Sequence, residues 1–329
     1  MVAAEAGAWR DDRASETVAS CDLCGSVDAV EVAAATPDQC RTLLCRRCGL
    51  MYASPRLPAD TLASFYDDEF TGDAGAFARS AGGAVADAKV TKEERIAREW
   101  SFPLVARHLD PAGRRILDLR CRTGALSAAL AAAGAEVWAV DPFRSNLDLA
   151  AARGLDRLVE IPVTGFETMA PFEDASFDAV VVLSIHVLAH VRSPAAFLAR
   201  AHALLKPGGL LIIDEKDVLE PHRQPAPSVF ASGPVHNFHL TQATFDAYLR
   251  RAGFETVASG PDAGRSTAFR HMVGIARRPL TGPALGSVLP WQGEAILRRL
   301  RRVERAMPLH RLGLFVRASR RRLRRLLAA

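Results

Sequence analysis

The sequence predicts a doubly wound α/β domain with a small cysteine-rich module ahead of it, and three stretches carry that prediction. Ile116-Leu117-Asp118-Leu119-Arg120-Cys121-Arg122-Thr123-Gly124 reads as a buried strand running into a tight turn; an alanine-rich helix and a second strand ending in Asp141-Pro142 follow. Phe177 to Leu183 is a continuous apolar run, as a central parallel strand requires. Cys21-x-x-Cys24-Gly25 and Cys45-x-x-Cys48-Gly49 are separated by a spacer of 20 residues (25–44), inside the window for a structural zinc site.

Taken in chain order, the two knuckles come first, in a module over 18–58. Two residues between thiols let both sulfurs reach one tetrahedral ion at about 2.3 Å, and a glycine after the second cysteine tolerates the left-handed turn that a knuckle needs. Four thiolates, Cys21, Cys24, Cys45 and Cys48, close the coordination shell and leave no place for water, so a structural role is expected; Cys40 is a spare or substitute thiol. Residues 59–94 form a linker or lid that includes the aromatic-acidic stretch Phe65 to Phe70 and the small-residue stretch Gly72 to Gly83. Ile96, Trp100, Leu104 and Leu109 recur at helical spacing over 90–109, ahead of Pro111-Ala112-Gly113. Strand 115–119, helix 124–133, strand 135–140, helix 144–152 and a weaker strand at 157–161 make the first half of the domain. The second half is strand 177–183, a helix opened by Ser193-Pro194, strand 210–213 after Lys206-Pro207-Gly208-Gly209, helix 241–252, and strands 254–258 and 270–276 as an antiparallel hairpin. Seven strands alternating with helices fit one domain.

The chain has 329 residues, 49% hydrophobic and 24% charged, enough to bury a full α/β core beside one small module. Residues 1–20 carry no apolar run and no stretch approaches the roughly 18 apolar residues of a membrane span, so a cytoplasmic protein is expected. Six cysteines in a reducing compartment then read as metal ligands or buried thiols. The net charge of +5 is uneven: residues 295–329 hold twelve arginines against Glu304, leaving an acidic body and a basic tail.

The order ILDLxCxTG, AVDP, FDAVVV, a His-bearing segment Ile185 to Val191, LLKPGG and Arg251-Ala252-Gly253-Phe254-Glu255 resembles the class I S-adenosylmethionine (SAM) dependent methyltransferases over about 95–278. The CxxCG and CxxCGL pair, followed by Ser54-Pro55-Arg56, is similar to the zinc-binding module fused upstream of many bacterial methyltransferases of sugar, natural-product and cell-surface pathways. The resemblance implies a Rossmann-like seven-stranded sheet with SAM across the carboxyl ends of its central strands, a structural zinc, and a small-molecule, sugar or lipid-linked glycan acceptor. It places cofactor contacts at Asp118, Arg120, Cys121, Thr123, Gly124, Asp141 and Glu167: Asp118 toward the ammonium side, Thr123 and Gly124 at a helix N-terminus facing the ligand, Asp141 toward the ribose hydroxyls, Glu167 toward the adenine amino group. His186, His190, His236 and His239 are the visible general bases.

Arg120 and Arg122 stand where the family carries glycines, and weak SAM binding follows if two long side chains crowd a turn built for close backbone approach. An arginine turned outward or paired with the SAM carboxylate, an anionic ligand in place of SAM, and a repurposed protein that binds a partner remain open. The Arg-rich extension over 279–329 reads as a basic amphipathic helix, suited either to an anionic membrane surface at the inner face or to docking on the chain's own body or a sister subunit. Nucleic acid is disfavoured, because no aromatic platform accompanies the arginines.

Overall fold

The computed structural model describes residues 15–34, 40–62, 92–183, 186–219, 235–262, 271–281 and 292–309. The aromatic-acidic stretch Phe65 to Phe70, the stretch Gly72 to Gly83 and tail residues 310–329 lie outside the described residues. The module contributes β1 (Ala29–Ala33), β2 (Thr42–Cys45) and β3 (Met51–Ala53). A helical segment at 92–96 and a π turn, Ala97–Ser101, lead into α1 (Phe102–His108). Then follow β4 (Arg115–Leu119), α2 (Ala125–Ala132), β5 (Glu136–Asp141), α3 (Arg144–Ala151), β6 (Leu158–Glu160), β7 (Phe177–Val182), α4 (Val187–His190), α5 (Pro194–Leu204) and β8 (Leu205–Lys216). The chain continues through β9 (Phe238–His239), α6 (Gln242–Arg251), β10 (Glu255–Asp262), β11 (His271–Arg277) and a last helix, α7, over 293–309.

Seven strands form one sheet in the order β10-β11-β8-β7-β4-β5-β6. β4, β5, β6, β7 and β8 are parallel, β11 runs antiparallel to β8, and β10 closes the edge as a hairpin with β11. The chain starts at the centre with β4, winds outward through β6, then returns to β7 on the other side. That reversal opens a crevice at the carboxyl ends of β4 and β7, the place where open α/β sheets take ligands. This is the doubly wound, Rossmann-like sheet the sequence predicts.

The predicted elements are present with instructive differences. β8 begins at Leu205, because Leu205 pairs with Phe177 across a bulge and Gly208, at φ 82°, donates its N–H to the Arg278 carbonyl at 2.9 Å. It also runs past Ile213, because Asp214, Glu215 and Lys216 stay in register with Val273, Met272 and His271 of β11. The helix predicted over 90–109 carries a π turn, which seats Trp100 in the core with its indole N–H on Asp262.

The small sheet is antiparallel in the order β1-β2-β3-β9, so its fourth strand comes from the segment that bears His239. Module and main domain share one apolar cluster that joins Cys21, Leu23, Cys45, Cys48, Leu50 and Tyr52 to Phe197, Phe245 and Tyr248. Asp22 ties the two together in polar terms: its carboxylate accepts from Ser193 Oγ at 2.5 Å, the Ala195 N–H at 3.0 Å and Tyr248 OH at 2.8 Å.

Of the two open readings of the basic tail, α7 follows the docked one. Ile296, Leu297 and Leu300 are buried with Leu44, Met51, Val218 and Leu219. Gly293 sits so close to the second knuckle that a Cβ there would lie 1.9 Å from the Arg46 carbonyl oxygen. Arg299 faces Asp217 at 3.7 Å. No helix among the described residues is long and apolar enough to cross a membrane.

Gly124 starts α2 at φ 73°, and a Cβ there would lie 2.7 Å from that of Ala150 on α3. Gly124→Ala therefore combines a left-handed strain with a clash between helices, and equilibrium unfolding in urea should show a loss of about 1–3 kcal/mol. A loss under about 0.5 kcal/mol would contradict this packing.

Candidate active site

The turn between β4 and α2 holds two arginines in a backbone conformation that glycine normally occupies, Arg120 at φ 59° and Arg122 at φ 57°. Acidic side chains from two other elements hold the turn in place. Asp141, at the end of β5 and fully buried, accepts the Arg122 N–H at 2.9 Å through Oδ2, and the Phe143 N–H at 3.1 Å and Asn146 Nδ2 at 2.8 Å through Oδ1. Glu93, in the helical segment ahead of the sheet, accepts the Thr123 N–H at 3.1 Å and Thr123 Oγ1 at 2.5 Å, and pairs with the Arg122 guanidinium at 2.6 Å.

The two arginines therefore part company. Arg122 turns away to Glu93, so it does not crowd the crevice as the sequence suggests. Arg120 stays inside, only 8% exposed, with its guanidinium 5.9 Å from the Phe143 ring centre and near enough to Asp141 to offset part of what burial does to that carboxylate. Burial raises Asp141, and it pushes Asp118 up to about 7 even though Ser127 Oγ donates to Asp118 at 2.5 Å. Two carboxyls and a guanidinium thus line the carboxyl ends of β4 and β5.

Three of the predicted contact residues engage other parts of the chain. Cys121 is buried in a cluster with Ala139, Leu147, Ala150 and Leu155. Thr123 is fully buried and directs both its N–H and its hydroxyl to Glu93. Glu167 is drawn to the connection between α4 and α5, where its carboxylate accepts the Arg192 and Ser193 N–H groups, so it does not join Asp118, Arg120 and Asp141. Gly124 remains at the start of α2, where packing against α3 accounts for it.

A second wall is built from histidines, near enough for the Arg120 charge to act on His190. His186 follows β7 at φ 45°, His190 ends α4, His236 precedes β9 and His239 lies within it. The rings of His190 and His236 lie 4.7 Å apart centre to centre, and those of His236 and His239 6.4 Å. Burial holds His186, His190 and His239 well below the usual imidazole range, with Lys216 adding to it in each case. The four predicted histidines are therefore gathered on one wall, three of them kept as neutral rings.

This wall includes residues the sequence reading passed over. His271 opens β11, its Nδ1 is 3.1 Å from Asp214 Oδ2, and its ring centre lies 5.2 Å from that of His186. Glu215 reaches His186 Nδ1 at 3.6 Å, and burial raises Glu215 while lowering its neighbour Lys216. The charged run Asp214-Glu215-Lys216-Asp217 closing an apolar strand was the available signal, since such groups are rarely buried without a task.

The cysteine quartet forms as predicted. Cys21, Cys24, Cys45 and Cys48 bring their sulfurs within 4.8 Å of one another, with Cys21 to Cys48 and Cys24 to Cys45 at 3.5 Å. Tetrahedral coordination with bonds of about 2.3 Å puts sulfurs about 3.8 Å apart, so the spacing fits one thiolate-bound metal ion. Gly25 and Gly49 take φ 71° and 81° in the knuckles. Cys40 is buried but is not a member of the quartet.

Comparison with known proteins bears on the same region. A family model described as a methyltransferase domain matches residues 92–259, just over half of the chain. The ubiquinone biosynthesis O-methyltransferase of Xanthomonas oryzae pv. oryzae (strain PXO99A) is 38% identical over 111 residues, 33% of this chain and 46% of that protein. The tRNA U34 carboxymethyltransferase of Idiomarina loihiensis is 33% identical over 176 residues, 49% of this chain and 51% of that protein. The chain thus spans about half the length of these curated relatives. Among solved structures, Burkholderia thailandensis 1,6-didemethyltoxoflavin-N1-methyltransferase, with 1,6-didemethyltoxoflavin and S-adenosylhomocysteine bound, is 21% identical, covers 70% of this chain and 96% of its own, and gives a TM-score of 0.49.

Asp118 supplies a pH test of the crevice. Its folded pKa, about 7, lies above that of an unfolded aspartate, about 3.9. Between these values the unfolded chain releases the proton and the folded chain keeps it. Stability is thus lost by about 1.4 kcal/mol per unit as pH rises from 4 toward 7, and the loss levels off above. Asp118→Asn should be more stable than the parent at pH 8, with the difference shrinking as pH falls to 4 in chemical denaturation. A difference independent of pH would contradict the raised carboxyl.

Proposed function

Because the chain belongs to the methyltransferase-domain family, we propose that it transfers a methyl group from SAM to a small-molecule acceptor across the crevice between the Asp118–Asp141 edge and the histidine wall. SAM supplies the methyl group as an activated sulfonium when bound. Asp141 at the end of β5 is the residue suited to accept the ribose hydroxyls, and the Asp118 region suits the amino-acid end. The histidine wall carries the proposal: His186 after β7, His190 on α4, and His236 and His239 about β9 are gathered so that an acceptor bound among them can pass its proton to an imidazole nitrogen. One relative is named ubiquinone biosynthesis O-methyltransferase, which favours an oxygen acceptor on a small molecule as the first class to assay; a sugar or lipid-linked glycan is the next. The four thiolates hold zinc as a structural ion, since a closed sulfur shell leaves no position for substrate.

A second reading is favoured by one observation, the buried Arg120 in a glycine position. There the crevice takes an anionic ligand instead of SAM, and the protein is a repurposed methyltransferase-like binder. Titration of SAM by calorimetry separates the two. If Arg120 only gates the crevice, Arg120→Gly tightens SAM binding at least about tenfold, roughly 1.4 kcal/mol. Arg122→Gly, which frees Glu93 without clearing any space, does not. Failure of both the parent and Arg120→Gly to bind SAM would leave the second reading standing.

The metal assignment is tested by elemental analysis of protein purified without added zinc. One zinc per chain is expected, lost in Cys21→Ser combined with Cys45→Ser. Parent protein without zinc, or retention by the double variant, would overturn it.

A further inference from the structure

Helix α4 has only four residues, Val187–His190, and follows His186 in a left-handed conformation. A segment this short cannot hold its own geometry in water, where isolated helices need about 12–15 residues to become even marginal. Its position must be imposed by its contacts, and these lead to the cysteine knuckles. Only two residues, Gly49 and Leu50, separate Cys48 from β3, so the second knuckle fixes where β3 lies. β3 pairs with β9, Met51 opposite His239 and Tyr52 opposite Phe238. Just beyond, the Ala53 N–H donates to the Asn237 carbonyl at 2.9 Å. Asn237, 1% exposed, then holds the end of α4 at three points: its N–H donates to the Ala189 carbonyl at 2.8 Å, and its Nδ2 to the carbonyls of His190 at 3.0 Å and Val191 at 3.2 Å. The first knuckle grips the next residues through Asp22, which accepts from Ser193 and Ala195. Each knuckle thus holds one end of the stretch 189–195.

We infer that the metal centre positions the histidine wall of the crevice, and that Asn237 is the positioning residue through which it places His190 against His236. Four clustered thiols, three of them buried, stay together as thiolates only around a cation. Once the ion is gone the knuckles separate, β3 shifts, and both grips on α4 loosen. The Asp118–Asp141 side has no such dependence, because Asp141, Glu93 and Ser127 hold it from within the main domain. The inference rests on the zinc reading above, and an initial metal analysis keeps the two apart: protein that carries no metal overturns both.

The test is amide hydrogen exchange of the full chain as purified, after chelation, and after zinc is restored, with Asn237→Ala alongside. Chelation should speed exchange at least about tenfold over 187–193 and 236–240 and leave 115–119 and 136–141 unchanged, with zinc restoring the parent protein. Asn237→Ala should keep its zinc and still exchange fast over 187–191, and added zinc should not slow it. Histidine-labelled NMR supplies the signature that general loosening would not produce: the His190 and His236 signals move on chelation, while those of His108 and His202 do not. Unchanged exchange over 187–193 after chelation, parent-like exchange in Asn237→Ala, or equal loss of protection over 115–141 would each overturn the inference.

Discussion

Everything at the cofactor side of this protein depends on how a β-strand can turn into a helix through two left-handed arginines. Each such residue costs on the order of 1–2 kcal/mol relative to an ordinary backbone conformation. The turn persists because Asp141 and Glu93 accept the N–H groups that the unusual path presents, and because the Arg122 side chain is itself neutralised by Glu93. In a glycine-bearing turn the backbone would be open to a ligand. Here the same carboxylates that could meet a ligand are also internal struts, and the Arg120 side chain fills space beside them.

The crevice is therefore asymmetric. One wall is rigid by internal hydrogen bonding and carries the carboxylates. The other depends on contacts with a module that lies far away in sequence, and it carries the histidines. Fusing the small sheet to the histidine strand β9 makes the module part of the crevice. α7 extends this arrangement: its apolar residues cover the back of the small sheet, and Gly293 allows its first turn to rest on the second knuckle. The basic residues of that helix are thus presented on a surface whose apolar face is already occupied.

Much of this was legible in the amino-acid order. Period and punctuation located the strands of the large sheet, since apolar runs bounded by Gly, Pro and Asp leave little choice between strand and loop. The cysteine quartet followed from spacing alone, and the chemistry of four thiols matches the geometry found. What escaped was long-range. Glu93 lies 30 residues from Thr123, and Asn237 lies 47 from His190, so no local pattern connects either pair. His271 became part of the histidine wall only because β11 inserts antiparallel beside β8, a register that hydrophobic periodicity cannot specify. Cys121 and Thr123 show the same limit: the motif marks them as ligand-facing, but it does not announce the partners the fold gives them, a buried cluster for the Cys121 side chain and Glu93 for Thr123.

The central claim is that a turn carrying arginines in place of glycines still delimits a working SAM crevice. A crystal structure of the protein grown with S-adenosylhomocysteine tests it most directly. The account predicts the ribose at Asp141, the sulfur facing the histidine wall, and the Arg120 guanidinium displaced from the face of Phe143. An empty crevice with Arg120 still beside Phe143, at ligand concentrations that saturate Arg120→Gly, would contradict it.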